Sequence, residues 1–247
     1  MDLAGKVAIV TGGGTGIGKA ISAGLAAAGT HVVVNYSRSE ADAEATAREL
    51  RDRGVQAIPV RADVSRADEV QAMVGRTVDE LGRLDVLVNN AGTTKFVPMP
   101  DLDNMDEESW DRIMAVNVKG TFLCCKAAAE PMRRSGGGSI VNISSVAGFR
   151  ASGSSIAYAV SKAAVIQLTR CMAVALAPSI RVNSVAPGLV LTRWGEQFSE
   201  EQKRAAEQNA LLKRTVPPAD IASAALECLR NDSLTAQTII VDSGIMR

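Results

Sequence analysis

The chain reads as an α/β fold, one open parallel sheet covered by helices on both faces. Three observations predict it. Short β-branched runs alternate with helical patterns along the whole length. The strand runs are apolar almost without interruption, as strands buried on both faces must be. The stretch "TGGGTGIG", Thr11 to Gly18, puts five glycines in eight residues where the first strand gives way to the first helix.

The strands are expected at 7–11 (VAIVT), 32–36 (VVVNY), 56–60 (QAIPV), 85–89 (DVLVN), 139–143 (SIVNI), 180–185 (IRVNSV) and 238–241 (TIIV), about seven in all. Helical patterns fill the intervals at 17–28, 40–53, 66–81, 107–133, 156–177 and 218–230, with a weaker one at 196–208. His31 is a polar residue at a strand entrance. The acidic stretch "PDLDNMDEES" predicts a surface loop before a helix at Glu107, and "SGGGS" at 135–139 predicts a tight helix-to-strand turn. There is no internal repeat and no long linker, so residues 1–247 are expected to form one domain.

Composition excludes several functions. Lysine plus arginine total 27 and aspartate plus glutamate total 27. A zero formal charge provides no field for nucleic acid or an anionic membrane. No apolar run is expected to approach a membrane span, and "MDLAGKVAIVTGGG" does not read as a signal peptide. Cys124, Cys125, Cys171 and Cys228 form no C-x-x-C pair, so neither a metal site nor a disulfide frame is indicated and a cytoplasmic location fits. The single histidine rules out any mechanism that needs two.

The glycine cluster has a physical use. At a strand-to-helix junction, backbone N–H groups and the positive end of a helix dipole hold a phosphate, and side chains would block its approach. The spacing is T-G-x-x-x-G-x-G, with Gly12, Gly16 and Gly18. The same chain carries "NNAG" (Asn89 to Gly92), "AVNVKG" with Asn117, "SS" with Ser145 thirteen residues before Tyr158, "AYAVSK" with Tyr158 and Lys162, and "PGLVLT" from Pro187 to Thr192. In these motifs, from Lys6 to about Asp242, the sequence resembles the short-chain dehydrogenase/reductase family.

The resemblance implies a Rossmann-type doubly wound sheet and a nicotinamide cofactor. Its binding residues would be Gly12, Thr15, Gly16, Ile17, Gly18, Asn89, Ala91, Gly92, Tyr158, Lys162, Pro187, Gly188, Val190 and Thr192. Asp63 and Val64, after the third strand, match the family's adenine contacts. Asn117 would hold a water that links Lys162 to solvent. Homotetramers built on the helices at 107–133 and 156–177 are also implied.

Part of the chemistry follows from the residues themselves. Tyr158 and Lys162, four apart in a helical stretch, share one face. A phenol is a poor acid–base group at neutral pH, and a nearby ammonium lowers its pKa. Ser145 stands at the carboxyl end of the fifth strand, where ligands bind in parallel sheets, and its hydroxyl can hydrogen-bond a substrate carbonyl. Cys124 and Cys125 read as packing residues.

Cofactor choice depends on the end of the second strand. An acidic residue there would select NAD, but Tyr36, Ser37 and Arg38 stand instead. Arg38 can pair with a 2′-phosphate and Ser37 can donate to it, which favours NADP over NAD. Against this, Thr15 occupies the place where NADP-linked members of the family carry a basic residue.

Hydride transfer between NADP(H) and a ketone or secondary alcohol is the expected reaction. The nearest resemblance is to 3-oxoacyl-thioester reductases and other ketoreductases. An NAD-dependent alcohol, steroid or sugar dehydrogenase is the alternative, and a silent NADP-binding regulatory protein is the alternative of another class. Substrate would be read by the loop after Ser145, with Phe149, Ala151 and Gly153, and by a lid at about 192–213 carrying Trp194 and Phe198. Arg133 and Arg134 would be the basic groups for an acidic carrier. Near the C-terminus, Ala236 and Ser243 stand where the family has glycine, so the terminal turn is expected to differ.

Overall fold

The computed structural model describes residues 1–246. Seven strands form one sheet: β1 (Val7–Val10), β2 (His31–Tyr36), β3 (Ala57–Arg61), β4 (Val86–Asn89), β5 (Gly138–Ile143), β6 (Ile180–Pro187) and β7 (Thr238–Val241). Their spatial order is β3-β2-β1-β4-β5-β6-β7, and every pairing is parallel. The strand order reverses between β1 and β4, and the carboxyl ends of the strands open a crevice there.

Eight α-helices connect the strands: α1 (Gly16–Ala27), α2 (Glu40–Arg51), α3 (Ala67–Leu81), α4 (Glu107–Met114), α5 (Thr121–Arg134), α6 (Ile156–Leu176), α7 (Glu200–Asn209) and α8 (Pro218–Arg230). Strand β1 shows why the sheet needs helices on both sides. Ala8 and Val10 pack with α1, α2 and α8, whereas Ile9 packs with α3, α5 and α6. All four residues of β1 are fully buried, and each large apolar side chain contributes about 1.5–3 kcal/mol by leaving water.

Two expectations change. The helix expected at 107–133 is not continuous, because Ala115–Gly120 winds as a π-helix between α4 and α5. Such wide turns are rare and occur often at functional sites. Here the turn carries Asn117 inward, and Gly120 lies so close to the β3–α3 connection that a Cβ would stand 2.8 Å from Val64 Cγ2. Second, α6 is 21 residues long with a mean hydropathy of 1.4, so by length and composition it does reach a membrane span. Its buried residues include Lys162, Ser161 and Thr169, and it packs against β6 and the π-helical segment, as a core helix does.

The two C-terminal departures from glycine retain glycine-like backbones. Ala236 has φ 61° and Ser243 has φ 58°, both left-handed. That conformation costs an L-residue about 1–2 kcal/mol, partly offset by the freedom glycine loses on folding. Ser243→Gly should therefore raise stability by about 0.5–1 kcal/mol. A higher urea midpoint at unchanged slope is the expected result; an unchanged midpoint counts against strain there.

Candidate functional site

A cleft of about 1140 Å³ runs along the carboxyl ends of the strands. The glycine loop forms one end of it. Gly12 (φ +61°) and Gly16 (φ +52°) adopt left-handed backbones. Thr15, the residue before α1, makes no side-chain cap, which leaves the first-turn N–H groups for an anion. Gly12, Thr15, Gly16 and Ile17 all line the cleft. Gly18 does not. A Cβ at Gly18 would collide with the Gly12 carbonyl oxygen and stand 2.6 Å from Asn90 Nδ2, so this glycine lets α1 approach the loop from behind. A bare backbone cradle at a helix N-terminus fits a dinucleotide pyrophosphate.

Three side chains that sequence reasoning left without a role hold this loop. Thr11 Oγ1 accepts from the Asn90 and Ala91 N–H groups at 2.9 and 3.0 Å. Asn90 Nδ2 donates to the Thr11 and Gly12 carbonyls at 2.9 and 3.1 Å. Asn35 Oδ1 accepts from Gly12 N–H at 3.2 Å, while its Nδ2 donates to the carbonyls of Val60 and Ala62. Asn35 thus ties the loop to β3. A polar residue inside the apolar run "VVVNY" was the available signal.

Ala91, Gly92, Pro187, Gly188, Val190, Thr192, Asp63 and Val64 also line the cleft. Thr192 lies over the loop, with its Cγ2 3.1 Å from where a Gly16 Cβ would be. Asn89 is a correction. It points away from the cleft, and its Nδ2 donates to Asn142 Oδ1 at 2.9 Å and to Cys125 Sγ at 3.3 Å. Strand alternation explains this, since neighbouring residues face opposite sides and only Asn90 and its successors reach the crevice. Asn142 in turn donates to Thr169 Oγ1 at 2.9 Å, so these side chains bind β4, β5 and α6 together. Burial pushes the Cys125 thiol up to about 12, which makes it inert packing rather than a nucleophile.

At the end of β2, Ser37 and Arg38 line the cleft. Glu40 does not neutralise Arg38, because it accepts from the Tyr36 hydroxyl at 2.8 Å. Among the described residues no carboxylate pairs with Arg38. Asp63 is already engaged by Ser65 and by Arg112 Nη2 at 2.9 Å. Burial works to raise its pKa, but these bonds outweigh it and hold the carboxyl below its usual range.

Ser145, Tyr158 and Lys162 gather where β5 ends. Ser155 caps α6 by accepting from the Tyr158 N–H at 3.3 Å, and the helix then carries Tyr158 and Lys162 on one face. Lys162 Nζ donates to the Ile143 carbonyl at 2.8 Å and lies 5.5 Å from the centre of the Tyr158 ring. The expected lowering of the phenol does not occur. Burial pushes Tyr158 up to about 12 despite the hydrogen bond of the Ser145 hydroxyl, and burial brings Lys162 down to about 8. The ammonium faces a carbonyl and the ring rather than the phenol oxygen, so desolvation dominates.

Asn117 is nearby but committed. Its Oδ1 accepts from Thr93 N–H at 2.8 Å, and its Nδ2 donates to the Thr93 carbonyl and to Ser161 Oγ at 3.0 and 2.9 Å. Ser161 Oγ donates on to the Tyr158 carbonyl at 2.7 Å. These bonds use both Nδ2 hydrogens and one of the two lone pairs of Oδ1. The side chain braces α6 against the segment after β4.

Aromatic residues wall the other end. Trp194 packs on Tyr158 with ring centres 5.4 Å apart, and Phe198 meets Phe96 edge-on at 5.1 Å. Both belong to the stretch 192–213, which contains a short 3-10 turn, Gly195–Gln197, and α7 with a Ser199/Gln202 capping box. Arg193 joins this stretch to α2 through two bonds to Asp42, of 2.7 and 2.6 Å. Two substrate-end expectations fail. Phe149 follows the 3-10 turn Val146–Gly148, is 40% exposed and does not line the cleft. Arg133 and Arg134 occupy the last turn of α5, beside the amino end of β5, and face Glu130 at 3.9 and 3.8 Å. That is the opposite edge of the sheet from the cleft.

Residues 6–203 match the profile of the family described as short chain dehydrogenase. A relative from Streptomyces violaceoruber, named as ketoacyl reductase 2 of the granaticin polyketide synthase, is 45% identical over 96% of this chain and 95% of its own. The 3-oxoacyl-[acyl-carrier-protein] reductase of Staphylococcus aureus is 39% identical over 97% and 98%. Among solved structures, a 7α-hydroxysteroid dehydrogenase complexed with NADH and 7-oxoglycochenodeoxycholic acid superposes with a TM-score of 0.91 at 35% identity, covering 98% of this chain and 94% of that one. A short-chain dehydrogenase/reductase from Burkholderia xenovorans gives the same TM-score at 34% identity, covering 98% of both chains. With its parallel seven-stranded sheet and glycine cradle, the chain belongs to the short-chain dehydrogenase/reductase family, as an NAD(P)-dependent oxidoreductase acting on C=O and CH–OH groups.

Proposed function

We propose that this enzyme reduces a 3-oxoacyl thioester or a related ketone with NADPH. One observation carries the reading. The Ser145 and Tyr158 hydroxyls and the Lys162 ammonium line, at the carboxyl end of β5, the same cleft as the glycine cradle, an arrangement that suits proton donation to a carbonyl held beside a nicotinamide. The nicotinamide cofactor, when bound, supplies the hydride. Ser145 orients the substrate oxygen, Tyr158 delivers the proton at its hydroxyl, and Lys162, 5.5 Å from the centre of the Tyr158 ring, supplies a positive charge beside the ring as the proton leaves. Asn117 is a positioning residue that acts through Thr93 and Ser161. The names of the ketoacyl and 3-oxoacyl relatives support the substrate class. A panel of ketones and 3-oxoacyl thioesters, assayed with NADPH and NADH, tests the reading. Turnover confined to steroid alcohols with NAD would favour the steroid-dehydrogenase alternative, which the 7α-hydroxysteroid dehydrogenase likeness supports.

NADP is favoured by Arg38, a guanidinium on the cleft wall with no acidic partner there. Two charge-assisted bonds to a 2′-phosphate at this rim are worth about 1–3 kcal/mol of selectivity. Arg38→Ala should lower kcat/KM for NADPH about tenfold or more and change NADH little. Equal losses with both cofactors would remove Arg38 from 2′-phosphate recognition.

The free cysteines, three of them buried, fit a reducing, cytoplasmic setting. Assembly as a homotetramer is supported by apolar side chains left in solvent on the helices expected to pair. Val174 is 81% exposed on α6, Phe122 is 42% exposed on α5, and Trp110 is partly exposed on α4. Light scattering at micromolar concentration should give four times the chain mass; a monomer would refute the assembly.

A further inference from the structure

The charges along the cleft are few, and they do not cancel. Its lining residues of the Asp, Glu, Lys and Arg types are Arg38, Asp63, Arg112, Arg150, Lys162 and Arg193. Arg112 is paired with Asp63, and Arg193 with Asp42. Lys162 is buried against the Ile143 carbonyl. Two exposed guanidiniums have no acidic partner among the described residues. Arg38 lies at the cofactor end, and Arg150 lies in the loop between β5 and α6.

We infer that Arg150 is an anion-recognition residue for the substrate, reading a phosphate carried on a flexible tail some distance from the ketone. This rests on the thioester reading above. Position supports it first. A Cβ on Gly153 would stand 3.2 Å from Tyr158 Cδ1, so this loop borders the reacting end. Three residues of chain span at most about 11 Å, which keeps Arg150 near the mouth of that end while its guanidinium stays in solvent. Chemistry supports it next. The aromatic side chains that wall this end, Phe96, Phe198 and Trp194, offer an anion no charged partner. Arg133 and Arg134 face the far edge of the sheet. Arg150 is thus the only exposed cation without an acidic partner at the substrate end of the described cleft. A guanidinium fork matches phosphate with two parallel bonds. In a 3-oxoacyl thioester of phosphopantetheine the phosphate lies many bonds from the ketone, as a mouth residue requires.

The test compares two ligands that differ in one phosphate, 4′-phosphopantetheine and pantetheine. Each is titrated calorimetrically into protein saturated with NADP⁺, so that the cofactor's own phosphates fill their sites. Their acetoacetyl thioesters are assayed in parallel with NADPH. Wild type should bind the phosphorylated ligand about tenfold more tightly, and Arg150→Ala should abolish that preference. Arg150→Lys should restore part of it, and Arg150→Glu should reverse it. The same pattern should appear in KM for the thioesters, with kcat little changed. A wild type without preference, or an Arg150→Ala variant that keeps it, overturns the assignment. If neither thioester turns over, the proposed reaction fails while the titration still decides Arg150.

Discussion

Tyr158→Phe should reduce turnover by about 10²–10⁴-fold, the usual contribution of a positioned proton donor. The phenyl ring would keep its packing on Trp194 and its place beside Lys162, since neither contact uses the hydroxyl. Cofactor affinity should therefore stay within a few-fold and the fold should be unaffected. Turnover close to wild type would remove Tyr158 from proton transfer. The shifted groups also set a pH dependence for the native enzyme. Reduction requires the phenol protonated and Lys162 charged. With Tyr158 at about 12 and Lys162 at about 8, both hold at neutral pH. The lysine's pKa is lowered, so its charge is lost early as pH rises. Reductive kcat/KM should be level below pH about 8 and fall above it. A profile that rises through that range would exclude charged Lys162 from the reductive step.

The local motifs were legible because each depends on short spacing. T-G-x-x-x-G-x-G needs only its own turn and helix start, and Y-x-x-x-K needs only one helical turn. The alternation of apolar strands and helices sufficed for the layers, since each strand must bury both faces. What could not be read involves groups distant in sequence. That Asn35 holds the Gly12 N–H depends on how β1, β2 and β3 pair. The inward turn of Asn117 depends on a π-helical segment that leaves no mark in the apolar pattern of 107–133. The direction of the Tyr158 shift depends on what Lys162 faces, and a fixed spacing of four does not tell whether an ammonium meets a phenol oxygen or a carbonyl. Asn89 and Phe149 failed for a related reason. A motif names its residues together, but strand alternation and a short turn send individual side chains to different sides.

Gly18→Ala should be the most damaging substitution of a single methyl in the glycine loop. The added Cβ would meet the Gly12 carbonyl oxygen, which is backbone and cannot swing aside, and would also press on Asn90 Nδ2 at 2.6 Å. Asn90 holds the carbonyls of Thr11 and Gly12, so displacing it loosens the loop at its two nearest fixed points. Overpacking of this kind costs about 1–3 kcal/mol, and the helix propensity that alanine adds recovers less than about 1 kcal/mol. A melting temperature lower by several degrees is expected. Because the strain falls on the cradle, NADPH should also protect the variant less against melting than it protects wild type. Gly75→Ala is the control. Gly75 lies within α3 with nothing within 4 Å of its missing Cβ, so alanine there should stabilise by about 0.5–1 kcal/mol and leave cofactor protection intact. Equal behaviour of the two variants would mean that α1 can retreat from Gly12, and that the close approach at Gly18 is not what shapes the phosphate cradle.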